Sequence, residues 1–174
     1  MGQIERRKNL VRLMAAFARL RSRGDEHCLV LAGRPSFQAK EVYQAIARLG
    51  LQDRVRILGP IPDQDLAVIY NLATFLAFPS SHEGFGLPAL EAMACGLAVC
   101  AARAGALPEV LNDAGVFFDP YNVEEMAEAF WRLLREPDLR QELATKGRKR
   151  AEQFSWERCA NATLQVYNEL LLRR

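Results

Sequence analysis

Histidine and cysteine are scarce in this chain of 174 residues: His27 and His82, with Cys28, Cys95, Cys100 and Cys159. No two cysteines stand in CxxC spacing and neither histidine has metal-ligating companions, which argues against a metal cluster or a disulfide framework. Cys28 and Cys100 lie in apolar runs that read as buried strands, where a thiol behaves as a small hydrophobe. Reduced, structural cysteines in a cytoplasmic protein are the expectation. No run of about 18 apolar residues is present, so no membrane-crossing helix is expected. The opening MGQIERRKNL lacks an apolar leader core and a small-residue cleavage site. An excess of either charge is also missing. Lys+Arg 23 against Asp+Glu 21 leaves +2, too balanced for an electrostatic nucleic-acid binder. Repeats, low-complexity tracts and flexible linkers are absent.

What is there fits one ordinary globular domain. Hydrophobic residues make up 50% and charged residues 25%, which excludes disorder. A chain of this length buries enough apolar surface to need no staple. Leu10, Leu13, Met14, Phe17 and Leu20 follow a helical stripe. Residues 28–32 form a continuous apolar run ended by Gly33, as in a strand covered on both faces. A helix through Val42, Ile46 and Leu49 stops at Gly50. A strand at 54–58 ends at Gly59-Pro60, and a helix to about Leu72 follows, with Asp63 as its cap. A strand at 74–78, a helix near 88–95, a strand at 97–101, a helical turn at 107–111 and a strand at 116–118 continue the alternation. Short connections between alternating strands and helices predict an α/β domain built on a doubly wound parallel sheet. Three helices at 123–135, 138–153 and 156–172 follow as a helical C-terminal tail, the last capped by Ser155. Met1 to Ile4 is too short for a full strand, so the sequence reads as a piece of a larger protein.

The most informative segment runs from Phe78 through Pro79-Ser-Ser-His-Glu-Gly-Phe-Gly-Leu-Pro88 to Gly96. It joins a buried strand to a helix, where open α/β sheets bind ligands. Gly84 and Gly86 permit unusual backbone angles and remove side chains that would block a ligand. Pro88 suits the first helical position. Free amides around Phe85, Gly86 and Leu87 at a positive helix end then make a phosphate site. Glu83 and Glu91 bracket this loop with seven residues between them. A carboxylate beside phosphate repels it, so its natural targets are neutral hydroxyls further out. Taken singly, Glu91 is a helix-dipole carboxylate and the glycines make a turn. Taken together at one junction, they point to a ligand with phosphate in the middle and polyols at both ends.

The run Arg6-Arg7-Lys8-Asn9 reads as the opening of the first helix. It is a solvated face or, because cations there oppose the macrodipole, the seat of an anion with Lys8 as its ligand. Gly33 ends the second predicted strand at the same sheet edge and would let a ligand approach; Arg34 reads equally well as plain surface. His82 has no nucleophile paired to it, and His27 reads as solvent-facing. Phe154, Trp156 and Tyr167 read as packing residues of the terminal helix.

These residues carry a resemblance. The chain resembles the C-terminal, donor-binding domain of the family 4 retaining glycosyltransferases, the "glycosyl transferases group 1" domain, over essentially residues 1–174. The similarity runs through Arg7-Lys8-Asn9-Leu10, Leu31-Ala32-Gly33, Val55 to Gly59, Pro79-Ser80 to Gly96, Pro108-Glu109-Val110, Phe118-Asp119-Pro120 and Phe154-Ser155-Trp156-Glu157. The Glu83-to-Glu91 spacing looks like the family's E-x7-E signature. The resemblance implies one Rossmann-like half of a GT-B fold, with the acceptor-binding N-terminal domain absent from the chain. It implies that Lys8 neutralises the diphosphate and Glu83 holds the transferred sugar. Amides of Gly84, Phe85, Gly86 and Leu87 would meet sugar and phosphate, Glu91 the ribose hydroxyls, and Gly59-Pro60-Ile61 would lie near the base, with Gly33 also counted among the donor-binding residues. It further implies a nucleotide diphosphate sugar as substrate and no metal or other cofactor. Membrane contact would be at most peripheral, at the inner face. The last helix would cross to the missing domain, leaving its apolar face exposed or buried on another copy. Gln3 stands where many members carry a phosphate-binding Arg, so phosphate binding would lean on Lys8 and the helix amides. Retaining sugar transfer is the expected reaction. A nucleotide-sugar binding module without activity of its own and a sugar-nucleotide epimerase are the alternatives. A dinucleotide oxidoreductase is disfavoured because no G-x-G-x-x-G follows the first strand.

Overall fold

The computed structural model describes residues 2–172. Short apolar runs form the strands β1 (Leu29–Ala32), β2 (Val55–Gly59), β3 (Leu76–Phe78), β4 (Val99–Ala102) and β5 (Gly115–Phe118). Helix α1 (Leu10–Arg21) precedes β1, and α2 (Ala39–Arg48), α3 (Asp63–Leu72), α4 (Leu87–Ala94) and α5 (Leu107–Leu111) connect the strands. The chain ends in α6 (Val123–Arg135), α7 (Pro137–Ala151) and α8 (Trp156–Leu172). The expected α/β alternation and helical tail are both present.

Strand β4 shows why helices cover both faces. All four of its residues are buried, and successive side chains point to opposite faces. Cys100 and Ala102 belong to one core with Leu13, Met14, Phe17, Phe118 and Phe130. Val99 and Ala101 belong to another with Tyr70, Phe78, Met93 and Leu107. Helices α1, α2 and α6 cover the first face, while α3, α4 and α5 cover the second, with α7 packed on α4. Phe118 and Phe130 meet edge to face at 5.7 Å between ring centres, a preferred aromatic geometry.

The pairing is parallel throughout but falls into two sheets among the described residues: β1 with β2, and β3 with β4 and β5. A cavity of about 480 Å³ separates β1 from β3, lined by Leu29, Leu31, Phe75, Ala77, Lys8 and Ser80 among others. Val30 and Cys28 also border it. That opening corrects the expectation that residues 28–32 are covered on both faces: Val30 is 46% exposed and Cys28 is exposed, whereas Cys100 is buried as expected.

Local corrections have equally plain causes. Arg6–Lys8 form a separate 3-10 turn and Asn9 adopts a left-handed conformation (φ 55°), so the basic run precedes α1 rather than opening it. Asparagine tolerates that conformation, and its side-chain amide anchors the corner by donating to the Pro120 carbonyl at 2.7 Å. Asp63 is the first helical residue and not the cap, a place taken by extended Pro62 (φ −59°, ψ 144°). Ser155 does cap α8, accepting from the Arg158 amide at 3.1 Å. Helix α8 buries none of its residues: Trp156 is 81% exposed and Tyr167 is exposed too. Neither is a packing residue, because no other described element lies over that face. Ile4 forms a single parallel bridge to Pro35 beyond the end of β1, so residues 2–4 are not a full strand.

Candidate functional site

The parallel arrangement sends the C-terminal ends of the strands to one edge. Gly33 follows β1, Gly59 ends β2, and the loop 79–86 leaves β3 for α4. The Gly33 amide donates to the Gly59 carbonyl at 2.7 Å, which ties the first two together. The 3-10 turn is stitched to the loop by the Ser81 amide, which donates to the Arg7 carbonyl at 2.9 Å.

That stitch brings together residues 75 apart in sequence. Lys8 Nζ donates to Glu83 Oε1 at 2.7 Å, and Arg7 Nη1 donates to Glu83 Oε2 at 3.2 Å. Lys8 and Glu83 are both 8% exposed. The ammonium also lies 5.0 Å from the centre of the Phe78 ring, an added attraction for a cation. Burial alone would raise the Glu83 pKa. The hydrogen bond from Lys8, the nearby Ser80 hydroxyl and the charges of Lys8 and Arg7 outweigh it and hold the carboxyl below its ordinary value. Glu83 therefore stays ionised at neutral pH, an acceptor and not an acid. The Ser80 hydroxyl is fully buried and meets hydrogen-bond geometry to no protein atom among the described residues.

The glycines of the loop do different jobs. Gly86 caps α4 with φ 98°, and a Cβ there would meet Leu107 Cδ2 at 2.6 Å. Only glycine fits. Gly84 has no left-handed φ, correcting the expectation of an unusual backbone angle there, and a Cβ on it would meet nothing within 4 Å. It faces open space. Leu87 is the first residue of α4, which moves Pro88 to the second position, where its missing N–H is still no loss. Among the described residues the amides of Gly84, Phe85, Gly86 and Leu87 donate to no protein acceptor. Four unsatisfied amides at a helix N-terminus attract an anion. Phe85 is 40% exposed and meets Phe154 edge to face at 5.7 Å, so Phe154 supports the loop.

Two more expected site residues have partners of their own. Glu91 is on the exposed face of α4 and accepts a hydrogen bond from the Tyr70 hydroxyl at 2.8 Å. Gly33 (φ 154°) offers its bare side to the backbone carbonyl of Gly2 and not to open space, so it makes room for the chain itself. Ile61 is half-buried directly after Gly59. His27 is exposed, as expected, and His82 is exposed as well. Arg7, Tyr70 and Ser80 were not singled out from the sequence. Arg7 stood in a basic run that named only Lys8, and nothing local pairs Tyr70 with Glu91. No group of three or more His, Cys, Asp or Glu among the described residues is placed to hold a metal, and no helix there is long and apolar enough to cross a membrane.

The comparisons with known proteins converge. The family described as glycosyl transferases group 1 matches residues 1–150. The chain is 35% identical over 171 residues to the O-antigen chain mannosyltransferase B of Escherichia coli, covering 98% of this chain and 45% of that protein. Among solved structures it superposes on the sucrose-phosphate synthase of Thermosynechococcus elongatus with a TM-score of 0.87 and 31% identity, covering 99% of this chain and 45% of the other. Anabaena HepE, solved in complex with UDP and glucose, superposes with a TM-score of 0.81 and 26% identity over 97% of this chain and 47% of the other. The chain thus spans less than half the length of each.

Proposed function

Because the chain belongs to the glycosyl transferases group 1 family, we propose that it is the donor-binding half of a retaining glycosyltransferase. The reaction moves a sugar from a nucleotide diphosphate to an acceptor hydroxyl. The observation that carries this reading is the buried Lys8–Glu83 pair beside the four free amides at the start of α4. A diphosphate on those amides has Lys8 within reach of its oxygens. When the bond from the sugar anomeric carbon to the diphosphate oxygen breaks, negative charge grows on the leaving group. Fixed donors aimed at that charge lower the barrier. In this reading Lys8 and the amides supply the neutralisation, and no metal is needed. Glu83, held ionised, accepts hydrogen bonds from sugar hydroxyls and orients the ring. The acceptor and its binding groups come from a second domain facing this edge across a cleft.

HepE was solved with UDP and glucose, which supports a nucleotide-sugar ligand here. The test is calorimetric titration of the chain with UDP, GDP and ADP in EDTA, beside Lys8→Met. A hydrogen bond to a charged group contributes about 1.5–3 kcal/mol, so the substitution should weaken the nucleotide that binds by roughly tenfold to a hundredfold. Binding to none of the three, or binding indifferent to Lys8→Met, refutes the reading. The retaining outcome is checked separately from the anomeric configuration of the product made with the acceptor domain present.

A further inference from the structure

Tyr70 and Glu91 form a side-chain contact on α3 and α4 that the reaction described above does not use. Tyr70 lies in the last turn of α3, is 3% exposed and packs with Phe78, Met93 and Leu97. Its partner is the opposite: Glu91 is exposed, and among the described residues its carboxylate has Tyr70 as its only protein donor. A phenol locked in the core thus grips one oxygen of a side chain that would otherwise swing freely on a helix surface. Burial, the hydrogen bond and the Glu91 charge all raise the Tyr70 pKa, so the phenol remains a neutral donor across the working pH range. The contact therefore orients the carboxylate without neutralising it.

An ionised carboxylate accepts at both oxygens. With Oε2 taken by Tyr70, Oε1 and the remaining lone pair of Oε2 are open. Glu91 stands four residues into α4 from Leu87, about 6 Å along the axis at 1.5 Å per residue. Phosphate at the helix start and a pair of hydroxyls one turn away is the layout of a nucleoside diphosphate. Resting on the donor-site reading, we propose that Tyr70 is a positioning residue for the ribose: it presets Glu91 to accept from the vicinal 2′ and 3′ hydroxyls. Fixing a side chain in its binding geometry before the ligand arrives lowers the ordering cost of association.

The test compares UDP and GDP with their 2′,3′-dideoxy forms by titration calorimetry on the wild-type chain, Tyr70→Phe, Glu91→Gln and the double variant. Tyr70→Phe keeps the buried ring, and a thermal melt of each variant checks the fold. Tyr70→Phe should weaken the ribonucleotide roughly tenfold, in keeping with a hydrogen bond to a charged group, and leave the dideoxy form unchanged. In the Glu91→Gln background it should add little. Equal weakening of both ligands, or no change in either, overturns the positioning role while leaving the donor site standing. A wild-type chain that binds none of the nucleotides overturns the donor-site reading and this inference with it.

Discussion

Neutralising Glu83 should cost the fold more than removing either cation beside it. Glu83→Gln leaves Lys8 buried with its charge opposed by nothing closer than a carboxamide, and breaking one side of a buried pair costs about 3–5 kcal/mol. The amide oxygen of glutamine still accepts a hydrogen bond, so the lower figure, about 3 kcal/mol, applies. For a domain of this size each kcal/mol shifts the melting temperature by roughly 2–4 °C, giving a fall of roughly 6–12 °C. Lys8→Met is milder, because Glu83 keeps Arg7 at 3.2 Å; about 1–2 kcal/mol is expected. The double variant, with both charges gone, should be more stable than Glu83→Gln alone.

Urea unfolding at several pH values reads all of this. The Glu83 pKa is depressed below its ordinary 4.5, so its contribution is fully present above about pH 5 and disappears as pH falls through the depressed value. The gap between wild type and Glu83→Gln should be flat from pH 5 to 8 and close in stronger acid. A gap under about 0.5 kcal/mol at pH 7, a gap that persists in acid, or a double variant that loses the sum of the singles would each refute the reasoning.

Three further outcomes follow from the loop and the tail. Gly86→Ala meets both a left-handed backbone and the Leu107 side chain, and should lose about 3 kcal/mol in urea titrations. Gly84→Ala meets nothing and should stay within about 0.5 kcal/mol of wild type while weakening nucleotide-sugar binding. Helix α8 buries no residue, so a chain ending at Ser155 should melt within roughly 2 °C of the full chain, as substitutions away from packed features do; a larger drop would mean that α8 is covered in solution.

The elements were legible because each rests on local pattern. Residues 123–135 show helical spacing and start after Asn122, whose side chain caps them by accepting from the Glu125 amide. The fully apolar run at β4 announces a strand buried on both faces, and it is one. The loop from Ser80 to Leu87 was legible for the same reason, since glycine, proline and a helix start are neighbours in sequence. What failed depended on distant partners. Nothing local says that β1 borders a cavity instead of β3, which is why Cys28 and Val30 read as buried. Gly33 read as room for a ligand because the carbonyl that fills the space belongs to Gly2, 31 positions away.

The charge arrangement at the edge explains why Arg7 matters although Lys8 drew the attention. Before any ligand arrives, Lys8 is matched by Glu83, so the buried site carries no bare cation. If a diphosphate is to recruit Lys8, Glu83 must not be stranded, because an unpaired buried carboxylate is costly. Arg7 holds the second carboxylate oxygen and is itself half exposed and paired with Glu5 at 2.7 Å. It can keep Glu83 compensated while Lys8 turns to phosphate. On the proposed donor-site reading, two cations on one carboxylate would let a single lysine serve both the empty and the filled site. Arg7→Ala should accordingly affect stability by under about 1 kcal/mol, as half-exposed pairs do, yet weaken nucleotide binding measurably. Unchanged affinity would show that Lys8 leaves Glu83 without help.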